Sequence, residues 1–287
     1  MAEAIRTLIL RREFWEINLS DRIKKIFKNL KEKNNKALIS FSVAGFPDDQ
    51  TSLEICKVLS DSGVHIHELN MPHAEAQADG PIIQLANIKS IKKGINLDKI
   101  FMIAEKLRLH NPNLGICLMG YLNNIFIYGI EKFAEKANKA GVDALICVDL
   151  PADVKEEKQI RDALKKVGIS LIKLITPTTN ENRIKEITMD AESFIYSVNL
   201  KGITGVKTVQ VNEANQQIDR IKKYTNLPIV SGFGIKNPQD AKEIAKSNCD
   251  GVVVGSQIVK YIQENIDDKN LPQKVGSYVK TFVEVLK

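Results

Sequence analysis

Residues Gly129 to Leu150 read G-I-E-K-F-A-E-K-A-N-K-A-G-V-D-A-L-I-C-V-D-L. Gly129 to Ala140 is polar with helical periodicity, Gly141-Val142 marks a change of regime, and Ala144 to Leu150 is a short β-rich apolar run. A strand that is almost continuously apolar is one covered on both faces, as in a parallel sheet. The same unit recurs through the chain. β-Rich runs occur at Ala37 to Val43, Val64 to Asn70, Leu114 to Tyr121, Ser170 to Ile175, Ser193 to Asn199, Pro228 to Gly234 and Gly251 to Gly255. Helical stretches such as Asp49 to Ser62 and Pro238 to Ser247 lie between them, and Gly63-Val64, Gly168-Ile169 and Gly251-Val252 repeat the glycine punctuation. Eight strand-like runs alternating with helices predict an α/β fold, a TIM (β/α)8 barrel with an extra N-terminal helix. The alternative is an open doubly wound sheet, which usually carries G-x-G-x-x-G after its first strand; here Gly45-Phe46-Pro47 follows instead.

A chain of 287 residues with 44% hydrophobic and 26% charged residues has the composition of a globular protein with a sizeable core. Residues 21–287 are read as one barrel domain, and residues 1–20, which hold the single Trp15, as an N-terminal extension without assigned chemistry. Ile23, Ile26, Phe27 and Leu30 have helical spacing and predict an outer helix leading into the first strand. The net charge of +6 comes mainly from lysines on helix faces, such as Lys92, Lys93, Lys155, Lys158, Lys165 and Lys166, and aromatics are only 6%, which argues against nucleic-acid binding. Cys56, Cys117, Cys147 and Cys249 lack C-x-x-C spacing and read as reduced core residues of a cytoplasmic protein. No apolar run approaches the roughly 18 residues of a membrane span.

In a TIM barrel, chemistry sits at the C-terminal ends of the strands. There the second run carries Glu68 between His67 and Leu69, a carboxylate that is costly inside a sheet unless it has a task, and Asp79 follows in the loop before Gly80-Pro81. His65 and His67 share one strand face and Glu68 points to the other, so the three do not form a metal site; with Glu68 inward, the histidines face the helices. The last three strands lead into Gly202-Ile203-Thr204-Gly205, Gly232-Phe233-Gly234-Ile235 and Gly255-Ser256. Backbone N–H groups and a helix N-terminus at this end predict a phosphate site.

With these residues placed, the sequence resembles the alpha chain family of tryptophan synthase. The resemblance rests on F-S-V-A-G-F-P (Phe41 to Pro47), E-L-N-M-P through A-D-G-P-I-I-Q (Glu68 to Gln84), L-M-G-Y-L-N (Leu118 to Asn123), V-D-L-P (Val148 to Pro151), K-G-I-T-G (Lys201 to Gly205), G-F-G-I (Gly232 to Ile235) and Gly255-Ser256. It runs in order from about Asp21 to the C-terminus and is specific as a set. It implies a lyase that cleaves indole-3-glycerol phosphate to indole and glyceraldehyde 3-phosphate without a cofactor on this chain. In that reading Glu68 carries the proton, Asp79 holds the indole N–H, and Tyr196 lies near the glutamate. Phe41, Met119 and Phe233 would pack on the indole, and Gly205, Gly234, Ile235, Gly255 and Ser256 would bind the phosphate. Thr204 would belong to a lid loop, Leu200 to Asn212, after the sixth strand. The implied partner is the pyridoxal-phosphate-dependent beta chain, in an α2β2 complex.

Two departures stand out. Asn70 replaces a usual glycine, and His73-Ala74-Glu75-Ala76-Gln77 replaces a commoner F-S-D-P-L, which puts the coupling to the beta chain in question rather than the chemistry. Two other readings remain from the residues themselves: another barrel enzyme acting on a sugar phosphate, and a non-catalytic phosphometabolite-binding partner of another subunit.

Overall fold

The computed structural model describes residues 19–198, 207–232 and 234–286. Helix α1 (Leu19–Glu32) leads into β1 (Ala37–Val43), α2 (Asp49–Asp61), β2 (Ile66–Asn70), α3 (Pro81–Lys92), α4 (Leu97–His110) and β3 (Gly115–Gly120). Then follow α5 (Leu122–Tyr128), α6 (Ile130–Lys139), β4 (Ala144–Cys147), α7 (Lys155–Lys166), β5 (Ser170–Leu171), β6 (Lys173–Ile175), α8 (Glu181–Met189) and β7 (Ile195–Val198). The chain ends with α9 (Lys207–Lys222), β8 (Ile229–Gly232), α10 (Pro238–Ala245), β9 (Gly251–Val254), α11 (Ser256–Glu264) and α12 (Leu271–Glu284). Asp48, Asn96, Asn180 and Asn237 stop the preceding loops by accepting the N–H three residues on, at 2.9–3.0 Å, which satisfies one free donor at each helix start.

All strand pairings are parallel, in the order β5-β4-β3-β2-β1-β9-β8-β7-β6. The two ends of this order are one stretch of chain: β5 and β6 are separated by Ile172 alone, whose N–H donates to the Leu145 carbonyl at 2.8 Å. The predicted run Ser170 to Ile175 therefore bridges β4 and β7, and the sheet closes as a TIM barrel. Alternate residues point inward, and Ile39, Ile66, Cys117, Ile146, Ile172, Tyr196, Val230 and Val253 form the interior cluster.

One expectation is corrected. α1 is not an outer helix: Ile23, Phe27 and Leu30 pack into that interior cluster, beside the inward residues at the strand starts, so the helix plugs the N-terminal mouth. An apolar stripe on a helix shows that one face is buried but not where; here the open barrel end, rather than an outer face, receives it. A buried charge cluster fastens the plug. Asp143, fully buried before β4, takes Arg22 of α1, the Arg108 guanidinium at 2.5 Å and the Ile116 N–H at 2.8 Å. Arg108 also donates to the carbonyl of Gly141 at 2.8 Å, so its charge is spread over several acceptors.

A second correction concerns the loop expected from Leu200 to Asn212. Residues 207–222 are helix α9, because Ala214, Gln217, Ile218 and Ile221 fall on one buried face. Residues 199–206, with Thr204 and Gly205, lie outside the described residues, as do Phe233 and residues 1–18 of the extension.

Candidate active site

The register brings Phe41, Glu68 and Cys117 into one row across β1, β2 and β3. Glu68 is 1% exposed, and neither carboxylate oxygen has a hydrogen-bond partner among the described residues. With nothing to stabilise the anion, burial pushes its pKa up to about 8. A carboxyl that is largely protonated at neutral pH and yet titrates within reach of it is suited to giving and taking a proton. Tyr196, on β7, joins the same interior, and burial followed by the charge of Glu68 drives its phenol well above the usual range. Gly232 makes the room: a Cβ there would lie 2.5 Å from Tyr196 Cε1.

Asp79 sits half-buried in the loop between β2 and α3, and burial raises its pKa. Two donors oppose that rise: Tyr121 Oη and Asn87 Nδ2, each 3.3 Å from the same oxygen, Oδ2. Tyr121 is fixed in turn by accepting the Ala78 N–H at 3.0 Å, and the His73 ring packs on it, tilted by 30°, at 5.0 Å between centroids. Gln84 Nε2 ties the loop down by donating to the Asp79 carbonyl at 2.9 Å and the Ala76 carbonyl at 3.1 Å.

The histidines lie where strand geometry puts them. His67, fully buried outside the barrel, exchanges hydrogen bonds with Ser40 Oγ at 2.7 Å and Ser42 Oγ at 3.0 Å, and burial lowers its pKa to about 3. His65 Nδ1 accepts the Leu38 N–H at 3.0 Å. Among the described residues no group of His, Cys, Asp or Glu could hold a metal ion. All four cysteines are buried and free.

At the late strands, Gly234 has φ +51 with nothing within 4 Å of the place a Cβ would take. Ile235 is buried. Gly255 precedes Ser256, the first residue of α11, and a Cβ on it would meet Phe41 Cβ at 3.3 Å. Of the expected indole contacts, Phe41 is buried in the barrel and Met119 is half-buried on β3. Sequence reading missed two residues. Asn87 falls on the buried face of α3 with Ala86 and Ser90, and the small and polar residues spaced along one face of that helix were the available signal. Gly232 as the space for Tyr196 left none, since its neighbour is 36 residues away along the chain.

The family model for the tryptophan synthase alpha chain matches residues 27–285. A tryptophan synthase alpha chain from Thermoanaerobacter sp. (strain X514) is 38% identical over 266 residues, covering 93% of this chain and all of that relative. The tryptophan synthase subunit alpha of Legionella pneumophila str. Paris superposes with a TM-score of 0.85 at 31% identity, over 92% of this chain and 98% of that one. A chain in a tryptophan synthase crystal structure from M. tuberculosis, at 24% identity and TM-score 0.82 over 93% of this chain and 99% of that one, repeats the fold. A barrel with a buried glutamate inside it, an aspartate held at its mouth and this match over nearly the whole length have one reading: the chain belongs to the tryptophan synthase alpha chain family, a lyase of tryptophan biosynthesis.

Proposed function

We propose that Glu68 is the group that moves the proton in this family's reaction, the retro-aldol cleavage of indole-3-glycerol phosphate to indole and glyceraldehyde 3-phosphate. The observation that carries the assignment is its burial with no hydrogen-bond partner among the described residues, at a pKa of about 8. The acid form protonates indole C3, which makes the C3–glycerol bond breakable. The carboxylate left behind takes the proton of the glycerol hydroxyl as that bond breaks, and Glu68 is again protonated at the end. Asp79 accepts the indole N–H and stabilises positive charge developing on the ring, and Oδ2 is held while the described residues give Oδ1 no hydrogen bond. Tyr196 lines the glutamate's side of the cavity, and Phe41, Met119 and Phe233 pack on the indole.

The phosphate is assigned to Gly205, Gly234, Ile235, Gly255 and Ser256, where the positive φ of Gly234 and the start of α11 favour backbone N–H donation to an anion. Thr204 is assigned to a lid over the site. The reaction uses no cofactor on this chain; pyridoxal phosphate belongs to the beta chain. To that partner, in an α2β2 complex, we assign a docking face on α5, where Phe126 is 43% and Ile127 80% exposed and Asn124 Nδ2 donates at 3.2 Å to the carbonyl of Pro72, the residue before the His73–Gln77 loop. Among the described residues no helix is long and apolar enough to cross a membrane, and we assign the protein to the cytoplasm.

The test is the Glu68→Gln variant, assayed for indole release from indole-3-glycerol phosphate with a beta chain supplied. Loss of indole release with retained binding of a substrate analogue supports the assignment. Release at the unmodified rate contradicts it.

A further inference from the structure

Asn70, at the C-terminal end of β2, and Asn87, on α3, are both buried, at 1% and 0% exposure. Asn70 Nδ2 donates to Asn87 Oδ1 at 2.7 Å, and Asn87 Nδ2 donates to Asp79 Oδ2 at 3.3 Å. The direction of this relay is chemically forced. A carboxylate oxygen only accepts, so Asn87 must turn its NH2 toward Asp79 and its carbonyl oxygen toward Asn70, and Asn70 must answer with its own NH2. An amide at position 87 without a donor opposite its oxygen could rotate by half a turn and face Asp79 with a lone pair instead.

We propose that Asn70 is a positioning residue for the cleavage reaction, acting through Asn87 to keep an N–H donor aimed at Asp79 Oδ2. The proposal rests on the assignment of Asp79 to the indole N–H. Asn70 ends β2, two residues after Glu68, so it stands on the same rigid strand as the proton-carrying group. The relay thus sets the aspartate's carboxylate against the strand that holds the glutamate, fixing the distance between the two groups that must act on one indole ring.

Asn70→Asp changes the shape of the side chain little but replaces the donor with an acceptor. It draws the Asn87 amide round, so that Asn87 Oδ1 opposes Asp79. The expected result, for the full chain with a beta chain supplied, is at least a tenfold fall in kcat for indole release with KM changed less than twofold, since the phosphate end is untouched. A thermal melt and binding of glycerol phosphate establish that the variant folds. The second arm is a double-mutant cycle of Asn70→Ala and Asn87→Ala. The Asn70→Ala loss in kcat should shrink to less than twofold once Asn87 is already Ala, because there is no amide left to orient. Unchanged kcat in both Asn70 variants, or an Asn70→Ala loss that persists in full without the Asn87 amide, overturns the proposal. If Asn70→Asp does not fold, the cycle alone decides it. Asp79→Asn is run alongside: if it retains the unmodified kcat, the assignment of Asp79 fails, and if it loses kcat while the Asn70 variants do not, only the relay fails.

Discussion

Tyr196 occupies the space that the missing side chain of Gly232 leaves open on the neighbouring strand. A Cβ at position 232 would stand 2.5 Å from the ring carbon Cε1 and 3.2 Å from the phenolic oxygen. Gly232→Ala therefore forces the ring out of its place in the barrel interior, where it feels the charge of Glu68. The expected outcome is a stability loss of about 1–3 kcal/mol, as for other overpacked interiors. A larger relative loss in kcat/KM should accompany it, measured by denaturant melts and indole release on the same sample.

Tyr121 and Asp79, 42 residues apart in sequence, share a hydrogen bond that helps keep the half-buried carboxyl from rising further in pKa. Tyr121→Phe removes that bond and also the acceptor for the Ala78 N–H. A fall of about tenfold in kcat/KM is expected, corresponding to about 1.4 kcal/mol. Because Tyr121 lowers the pKa of Asp79, its loss should move the acid limb of the kcat/KM profile to higher pH. A pH–rate profile of the variant against the unmodified chain checks the direction.

Burial of Glu68 at a pKa of about 8, against 4.5 for an ordinary glutamate, makes stability depend on pH. Below pH 4.5 the folded and unfolded chains both hold the proton and the group contributes no dependence. As pH rises from there through 8, the unfolded chain releases the proton first and the folded state loses stability. Glu68→Gln removes this loss. The variant should match the parent near pH 4 and be more stable at pH 7 by about 3 kcal/mol, from a difference of about 2.5 pK units. Urea melts across this range measure the gap.

Asp143 holds Arg22 of the plug helix and Arg108 of α4 with no exposure to water. Asp143→Asn removes the negative charge that the two guanidinium groups share. A destabilisation of about 3–5 kcal/mol is expected, the range for one partner removed from a buried ion pair. Thermal melts should show it, and the loss should shrink when Arg22 is also replaced.

Much of the barrel was legible because its strands are buried on both faces and read as apolar runs between polar helices; Ala144 to Cys147 and Gly251 to Val254 fall within their predicted runs. Strand ends were read too long, as with Leu150, because loop residues at the barrel mouth are also partly apolar. Glu68 and Asp79 stood out as carboxylates at a strand end and in the loop after it. The inward turn of Glu68 and the outward turn of His65 and His67 followed from strand alternation alone. What could not be read were relationships that close across the barrel: Asn87 under Asp79, Tyr196 over Gly232, and α1 in the barrel mouth. Each joins residues whose sequence neighbourhoods say nothing about one another, and only packing brings them together. Asn70 shows the same limit, since its departure from glycine was visible but its partner on α3 was not.

The most direct test of the account is a titration of the Glu68 side-chain carboxyl by carbon NMR in the intact chain, assigned by its absence in Glu68→Gln. The account predicts a midpoint near 8, matching the alkaline limb of kcat/KM for indole release. A midpoint near 4.5, the ordinary value for glutamate, would contradict it, because the group would then be an anion at neutral pH with no proton to give.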